Sequence, residues 1–264
     1  MKTSFFQMNA RAVVCAVACG VIPFAASAQP YTFKIGAGRI DPRATSSDLE
    51  GSLPAANPLR ATYGLGVPTG LQMEVQPKST LLFSIERAFN DNWSAELVLG
   101  VPPKHDVKLR INDASKLAPA GYGALSSIPT ASYGLFATTN NQVVATVKEV
   151  APTVFFNYKF GDASSALRPY VGVGVNYTHF DAKATQTGTD FYTDGPVKIE
   201  LTDSIGFAFQ TGVNYKFDKN WLLSAGWSTA AVKNNMTIST NTSRQTASYR
   251  FHPSVFSLMV GYSY

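Results

Sequence analysis

The sequence predicts an all-β chain: an eight-stranded antiparallel transmembrane β-barrel with short periplasmic turns and long extracellular loops. Three observations carry this. The first is the stretch Phe256–Tyr264, where Phe256, Leu258, Val260, Tyr262 and Tyr264 take every second position, with Ser257, Gly261 and Ser263 between them. A strand sends alternate side chains to opposite faces, so this one has a large apolar face and a small, mostly polar one. A barrel in lipid turns the large face outward and sets aromatics at the water interface. The second is the start of the chain. Lys2 and Arg11 precede an apolar run, Ala12 to Ala25, and an A-x-A site at Ala26-Ser27-Ala28. This reads as a secretory signal peptide over 1–28, cleaved to leave a barrel over 29–264; the run is short for a span, which takes about 20 apolar residues. The third is composition. Both cysteines, Cys15 and Cys19, lie in the leader, so the mature chain has no disulfide framework and no cysteine metal site. Without Lys2 and Arg11 it keeps 20 basic and 17 acidic residues, a net charge of +3 with no basic run to engage nucleic acid.

The strands follow in order. Tyr31, Phe33, Ile35 and Ala37 face outward in the first, over 31–38. Leu81, Phe83, Ile85 and Phe89 form the second; Asn90-Asp91-Asn92 turns the chain into the third, with Trp93, Ala95, Leu97 and Leu99. Val154, Phe156, Tyr158 and Phe160 are joined through 161–166 to Val171, Val173, Val175 and Tyr177. Ile205, Phe207, Phe209, Val213, Tyr215 and Phe217 are joined by Asp218-Lys219-Asn220 to Trp221, Leu223, Ala225 and Trp227, and the eighth strand runs over about 251–264. Aromatics crowd each short turn, as in an interfacial girdle. The connections of about 41–78, 102–146, 181–202 and 231–248 are read as extracellular loops, and the uncharged stretch 117–147, with Pro119, Pro129 and Asn140-Asn141, has loop composition. A secreted, soluble lipocalin-like barrel has the same period with its apolar face inside. Glu86, Glu96, Asn157, Asn176 and Gln210 would then face water, and the aromatic turns argue instead for lipid.

At several places the chain resembles the OmpW family of small outer-membrane barrels. The matching pieces are Asp91-Asn92-Trp93 with Glu96-Leu97, Pro102-x-x-His105, Pro152-Thr153 before Tyr158-Lys159-Phe160, the run Arg168-Pro169-Tyr170-Val171-Gly172-Val173-Gly174-Val175-Asn176-Tyr177-Thr178, Gln210-x-Gly212-x-Asn214-Tyr215, and Pro253. The chain departs from the family in ending on Tyr264 rather than phenylalanine, in carrying His252 before Pro253, and in its expanded first two loops. The resemblance implies a barrel of the Gram-negative outer membrane that helps small hydrophobic molecules across. Its implied partners are outer-membrane lipids and lipopolysaccharide, the barrel assembly machinery acting on the C-terminal strand, and small hydrophobic solutes.

A barrel of eight strands is only just wide enough for its own side chains, so a wide aqueous pore is not expected. Sorting the inward residues by height gives a polar floor of Lys34, Glu86, Glu96, Asn157 and Lys216 beneath an apolar pocket of Leu82, Val98, Phe155, Val255 and Met259. Buried charge is costly unless paired, so Lys34 with Glu86 or Glu96 is expected to be a closed network. A solute stopped there would have to leave sideways into the bilayer. The bland alternative is that these side chains merely fill the barrel. Two other function classes stay open: a structural or interaction barrel such as a surface receptor or adhesin, and a lipid A-modifying hydrolase. For the latter, His252 and Ser254 share a face if both lie on the strand, but no carboxylate orients the histidine. No phosphate loop, metal-ligand spacing or cofactor motif is present, and no cofactor is expected.

Overall fold

The computed structural model describes residues 31–52, 70–113, 138–192, 195–241 and 243–264. The expected leader lies outside the described residues, as do 53–69 and 114–137 of the long connections. In chain order the strands are β1 (Tyr31–Asp41), β2 (Ala44–Thr45), β3 (Glu50–Ser52), β4 (Leu71–Val75), β5 (Lys78–Ala88), β6 (Trp93–Gly100), β7 (Lys104–Ile111), β8 (Val143–Val150), β9 (Thr153–Lys159), β10 (Leu167–Ala184), β11 (Lys198–Leu201), β12 (Ser204–Lys216), β13 (Trp221–Ala230), β14 (Val232–Ser239), β15 (Arg244–Phe251) and β16 (Ser254–Ser263). A short helix, α1 (Gln186–Tyr192), separates β10 from β11.

Eight strands close into a ring in the order β1-β5-β6-β9-β10-β12-β13-β16, each antiparallel to its neighbours, with β16 returning to β1. Closure leaves no sheet edge, which a hydrocarbon environment requires because it offers no water to unpaired N–H and C=O groups. The outer faces carry the predicted large side chains. Phe33, Ile35, Val173, Val175, Ile205, Phe207, Phe256 and Leu258 are all exposed. At the turn end, Trp93 stacks on Phe156 at 4.8 Å, Tyr158 meets Trp93 at 4.9 Å and Phe160 at 5.0 Å, and Trp221 meets Tyr262 at 5.1 Å. These rings form a belt.

Polar side chains lock the short turns. Asn90 Oδ1 accepts from the backbone N–H groups of Asn92 (2.9 Å) and Trp93 (2.8 Å), an Asx turn that reverses the chain. Arg168 is buried against the next turn and donates to the carbonyls of Gly161 (3.1 Å) and Phe160 (3.4 Å). Asn220 Nδ2 donates to the Ser263 carbonyl at 2.8 Å, tying a turn to β16. Between β1 and β16 the backbones approach so closely at Gly36 that a Cβ there would run into the Leu258 carbonyl.

The long connections correct the loop reading, because much of each is strand. After Thr178, β10 leaves β12 and runs on to Ala184 paired with β8, followed outward by β7, β4 and β2. A second sheet, β11-β14-β15-β3, stands on the other side of the same end. Val143 to Val147, read as loop, belong to β8. The reason is physical. In β7, His105, Val107 and Leu109 are buried while Lys104 is exposed and Asp106, Lys108 and Arg110 are half-buried. This is the alternation of a sheet with water outside and a core within. That core includes Val107, Leu109, Val147, Phe180, Met236, Ile238, Tyr249 and Phe251.

The outward face of β10 marks where lipid ends. It reads Leu167, Pro169, Val171, Val173, Val175, Tyr177 and then His179, Asp181, Lys183. Arginine in place of Val173 is expected to cost ~2–4 kcal/mol of folding free energy in lipid, the charge lying near the midplane. Thr246→Arg, exposed on β15 beyond the apolar band, should leave stability nearly unchanged. Unfolding of both variants in phospholipid vesicles measures the difference.

Candidate functional site

The interior of the ring is polar at the turn end and more apolar above. Lys34, on β1, sits between two carboxylates: its Nζ is 2.7 Å from Glu86 Oε2 and 2.9 Å from Glu96 Oε1. Lys159, on β9, pairs with the other oxygen of Glu86. Ser94 donates to Glu86 at 2.6 Å, and Ser84 donates to Glu96 at 2.7 Å. Asn157 Nδ2 and Gln210 Nε2 each reach Glu96 Oε2 at 3.0 Å, and Gln210 also donates to Asn157 Oδ1 at 2.7 Å. The network therefore crosses β1, β5, β6, β9 and β12. Its charges balance, two ammonium groups to two carboxylates, and the Tyr170 ring of β10 lies 5.9 Å from Lys34 Nζ. Glu86, Asn157 and Ser94 are at most 2 % exposed, so no continuous water path runs through them.

Above this floor lies a cavity of about 120 Å³. Leu82, Val98, Phe155, Val255 and Met259 all line it, and Glu96, Gln210 and Tyr170 form its lower side. Lys34, Glu86, Glu96 and Asn157 are brought together, but Lys216 is not. It is exposed at the turn end, where its Nζ donates to the Ala163 carbonyl at 3.3 Å. Sequence reading did not place Lys159, Ser84, Ser94 or Gln210 in the network. All fall on inward positions of their strands; Lys159 has the parity of Phe155 and Asn157 and is the last residue of β9, where its ammonium pairs with Glu86. His252 and Ser254 are not brought together: His252 precedes β16 and is exposed, whereas Ser254 is buried. Among the described residues no group of three or more His, Cys, Asp and Glu side chains is placed to hold a metal ion.

Two further features adjoin the cavity. The first is a seam in the wall. β6 pairs with β9 only as far as Val98 opposite Thr153. Beyond this, Leu99 to Pro103 face Ala151 and Pro152 without ladder pairing until Glu149 N–H reaches the Pro103 carbonyl at 3.2 Å. Pro102, Pro103 and Pro152 have no N–H to donate there. Leu99, Gly100, Pro103, Ala151 and Thr153 line the cavity at this place, while Leu99, Val101 and Val150 are also exposed on the outside.

The second is an upper cavity of about 40 Å³ within the extended sheets, lined by Met73, Val107, Val147, Phe180, Met236, Tyr249 and others. Glu149 is the one residue common to both linings among the described residues. It stands opposite Phe180, above Tyr177 and so beyond the apolar band. Burial pushes its carboxyl up to about 7. Its neighbour His105 is fully buried, and burial lowers its pKa.

The closed ring, the apolar band, the aromatic belt and the plugged interior define a small transmembrane β-barrel of the Gram-negative outer membrane, in contact with its lipids and lipopolysaccharide. The OmpW family model matches residues 131–264. Outer membrane protein W of Salmonella typhi is 36% identical over 209 residues, 78% of this chain and 84% of the relative. That of Vibrio cholerae is 28% identical over 197 residues, 74% and 78% of the two chains. The chain belongs to the OmpW family. Among solved structures, the outer membrane protein OprG of Pseudomonas aeruginosa superposes with a TM-score of 0.67 at 22% identity, covering 90% of this chain and 96% of that one. AlkL in lipid bilayers gives 0.55 at 17%, covering 92% and 95%. These two likenesses concern the fold.

The floor yields a stability prediction. Lys34→Met strands Glu96 without a cation and should destabilise the barrel by ~3–5 kcal/mol, the cost of breaking a buried pair from one side. Adding Glu96→Gln to Lys34→Met should recover part of that loss. Urea unfolding of the refolded single and double variants measures both, and additive losses would show that the two groups are not coupled.

Proposed function

We propose that this barrel helps small hydrophobic molecules cross the outer membrane, taking them in at the extended end and releasing them sideways into the bilayer. The carrying observation is the cavity's shape: it is closed below by a charge-balanced, hydrogen-bonded floor and flanked at the height of Leu99 by an unpaired seam. In this reading the short turns face the periplasm and the extended sheets stand outside the cell. Leu82, Val98, Phe155, Val255 and Met259 receive the apolar solute. Lys34, Glu86, Glu96 and Asn157 stop it, and the seam between β6 and β9 is its exit. A hydrophobic molecule has no reason to cross the floor, since it would have to part paired charges and enter water beyond. The outer face of β16 offers the aromatic-apolar pattern on which the barrel assembly machinery acts.

The test is uptake of an alkane or alkylbenzene by cells carrying each variant, with ionic conductance of the purified protein measured in parallel. Val98→Trp fills the cavity beside the seam and should slow uptake several-fold without changing conductance. Glu86→Ala with Glu96→Ala opens the floor and should raise conductance while leaving hydrophobic uptake no faster. Faster uptake in the second variant would mean a straight channel. Unchanged uptake on deletion of the whole protein would favour a surface-binding role.

A further inference from the structure

The two cavities share one lining residue among those described, Glu149 on β8. Behind Glu149, from β7, stands His105, which lines neither cavity, with its Nε2 3.7 Å from Glu149 Oε2. That is too long for a hydrogen bond. The Nδ1 atom of His105 lies 2.8 Å from the Gln76 carbonyl, which can only accept, so Nδ1 carries the proton and Nε2 presents a lone pair. His105 is 0 % exposed, and its Nε2 has no hydrogen-bond partner among the described residues. Glu149 keeps 13 % of its side-chain exposure where the two cavities meet, and no described residue donates to its carboxyl. Two acceptors therefore face each other at the cavity wall with no described donor between them, an arrangement that costs free energy until a donor arrives.

We propose that Glu149 and His105 form a head-group site for a primary amine, in its ammonium form, carried on a short apolar chain. The ammonium supplies several N–H donors, enough for the carboxylate and the imidazole lone pair together. Its chain then extends along the cavity toward Leu82 and Val98, or upward toward Phe180 and Met236. Other groups around Glu149 do not compete for the role. Phe180 stands opposite it in β10, and Lys148 on its own strand is exposed and paired across from Lys104 and Asp181. From β14 and β15 come Asn234 and Tyr249, and burial raises the pKa of the Tyr249 phenol, which keeps it neutral. Lys78 and Asp106 act on His105 with opposite signs. Glu96, the nearest acid in the floor, is already engaged by Lys34, Ser84, Asn157 and Gln210. The site rests on the reading that the cavities admit solutes, so binding is measured apart from flux.

The experiment titrates the refolded mature chain in detergent micelles with hexylammonium and, separately, 1-hexanol, following the amide resonances around Glu149 and the indole of Trp227, which lines the lower cavity. Comparing each variant with wild type in the same micelles cancels partitioning of the probe. Glu149→Gln keeps the volume and removes the charge. It should weaken hexylammonium binding about tenfold, the scale of one charge-assisted hydrogen bond, and change hexanol binding by less than about twofold. In the wild-type protein hexylammonium affinity should rise as pH is taken through about 7, where the Glu149 carboxyl ionises, and the rise should be absent in Glu149→Gln. Equal hexylammonium binding in both proteins, or a pH dependence that survives the substitution, would overturn the site. If neither probe moves any resonance, the solute-cavity reading falls with it; if hexanol alone binds, only the ammonium site does.

Discussion

A single strand that passes from lipid into water sets the terms for the rest of the molecule. β10 runs without a break from Leu167 to Ala184. Its outward residues are apolar up to Tyr177 and polar or charged from His179 onward. Its inward residues change the other way, from Arg168, Tyr170 and Asn176 to Phe180 and Ala182. The side that must avoid water changes at one level, because the surrounding solvent changes there. The larger cavity lies just below that inversion and the upper cavity just above it. Their linings mix apolar and polar groups because each borrows from both regimes.

Within the lipid band the consequence is a polar interior that has to satisfy itself. Glu86 and Glu96 face each other across β5 and β6, a like-charge pair that would repel if left alone. Lys34 from β1 and Lys159 from β9 supply the compensating charge from opposite sides. The amides of Asn157 and Gln210, with the hydroxyls of Ser84 and Ser94, use the remaining carboxylate lone pairs. Each group is held by several strands, so the floor ties the barrel across its diameter, where an apolar filling would tie only neighbours. Small residues make room for it. A Cβ at Gly172 would meet the Asn157 amide, and one at Gly261 would press on the Lys34 stem.

How much of this the sequence disclosed depends on which solvent a segment meets. The eight barrel strands were legible because the lipid face is both apolar and periodic, as in Phe256, Leu258, Val260 and Tyr262. Lys34, Glu86, Glu96 and Asn157 were legible as inward residues by the same parity. The upper strands were not, although His105, Val107, Leu109 and Ile111 alternate just as regularly with Lys104, Asp106, Lys108 and Arg110. Their charged outer face resembles a loop when the eye is set for a lipid-facing one. Lys216 shows the limit of parity. It is inward by count, but β12 ends there and its long stem carries the ammonium to the turn at Ala163. The pairing of His105 with Glu149 has no local signature, since the two lie on strands joined through a long connection.

The junction of the two cavities at Glu149 and the seam lie at the same corners of the chain. The chain leaves the ring twice on this side, once through Val101-Pro102-Pro103 between β6 and β7 and once through Ala151-Pro152 between β8 and β9. At both corners the strand direction bends from the ring into the extended sheet, and proline removes the N–H groups that would otherwise continue the ladder. The wall between β6 and β9 therefore has no ladder pairing beyond Val98 and Thr153. Glu149 follows Ala145 and Val147 on the inward face of β8, its N–H is held by the Pro103 carbonyl, and its side chain lines both cavities. Any side chain that straightened one corner would therefore act on both features. In the proposed reading, a solute held by its head at Glu149 would have its chain beside Leu99 and Thr153, which line the same cavity at the seam.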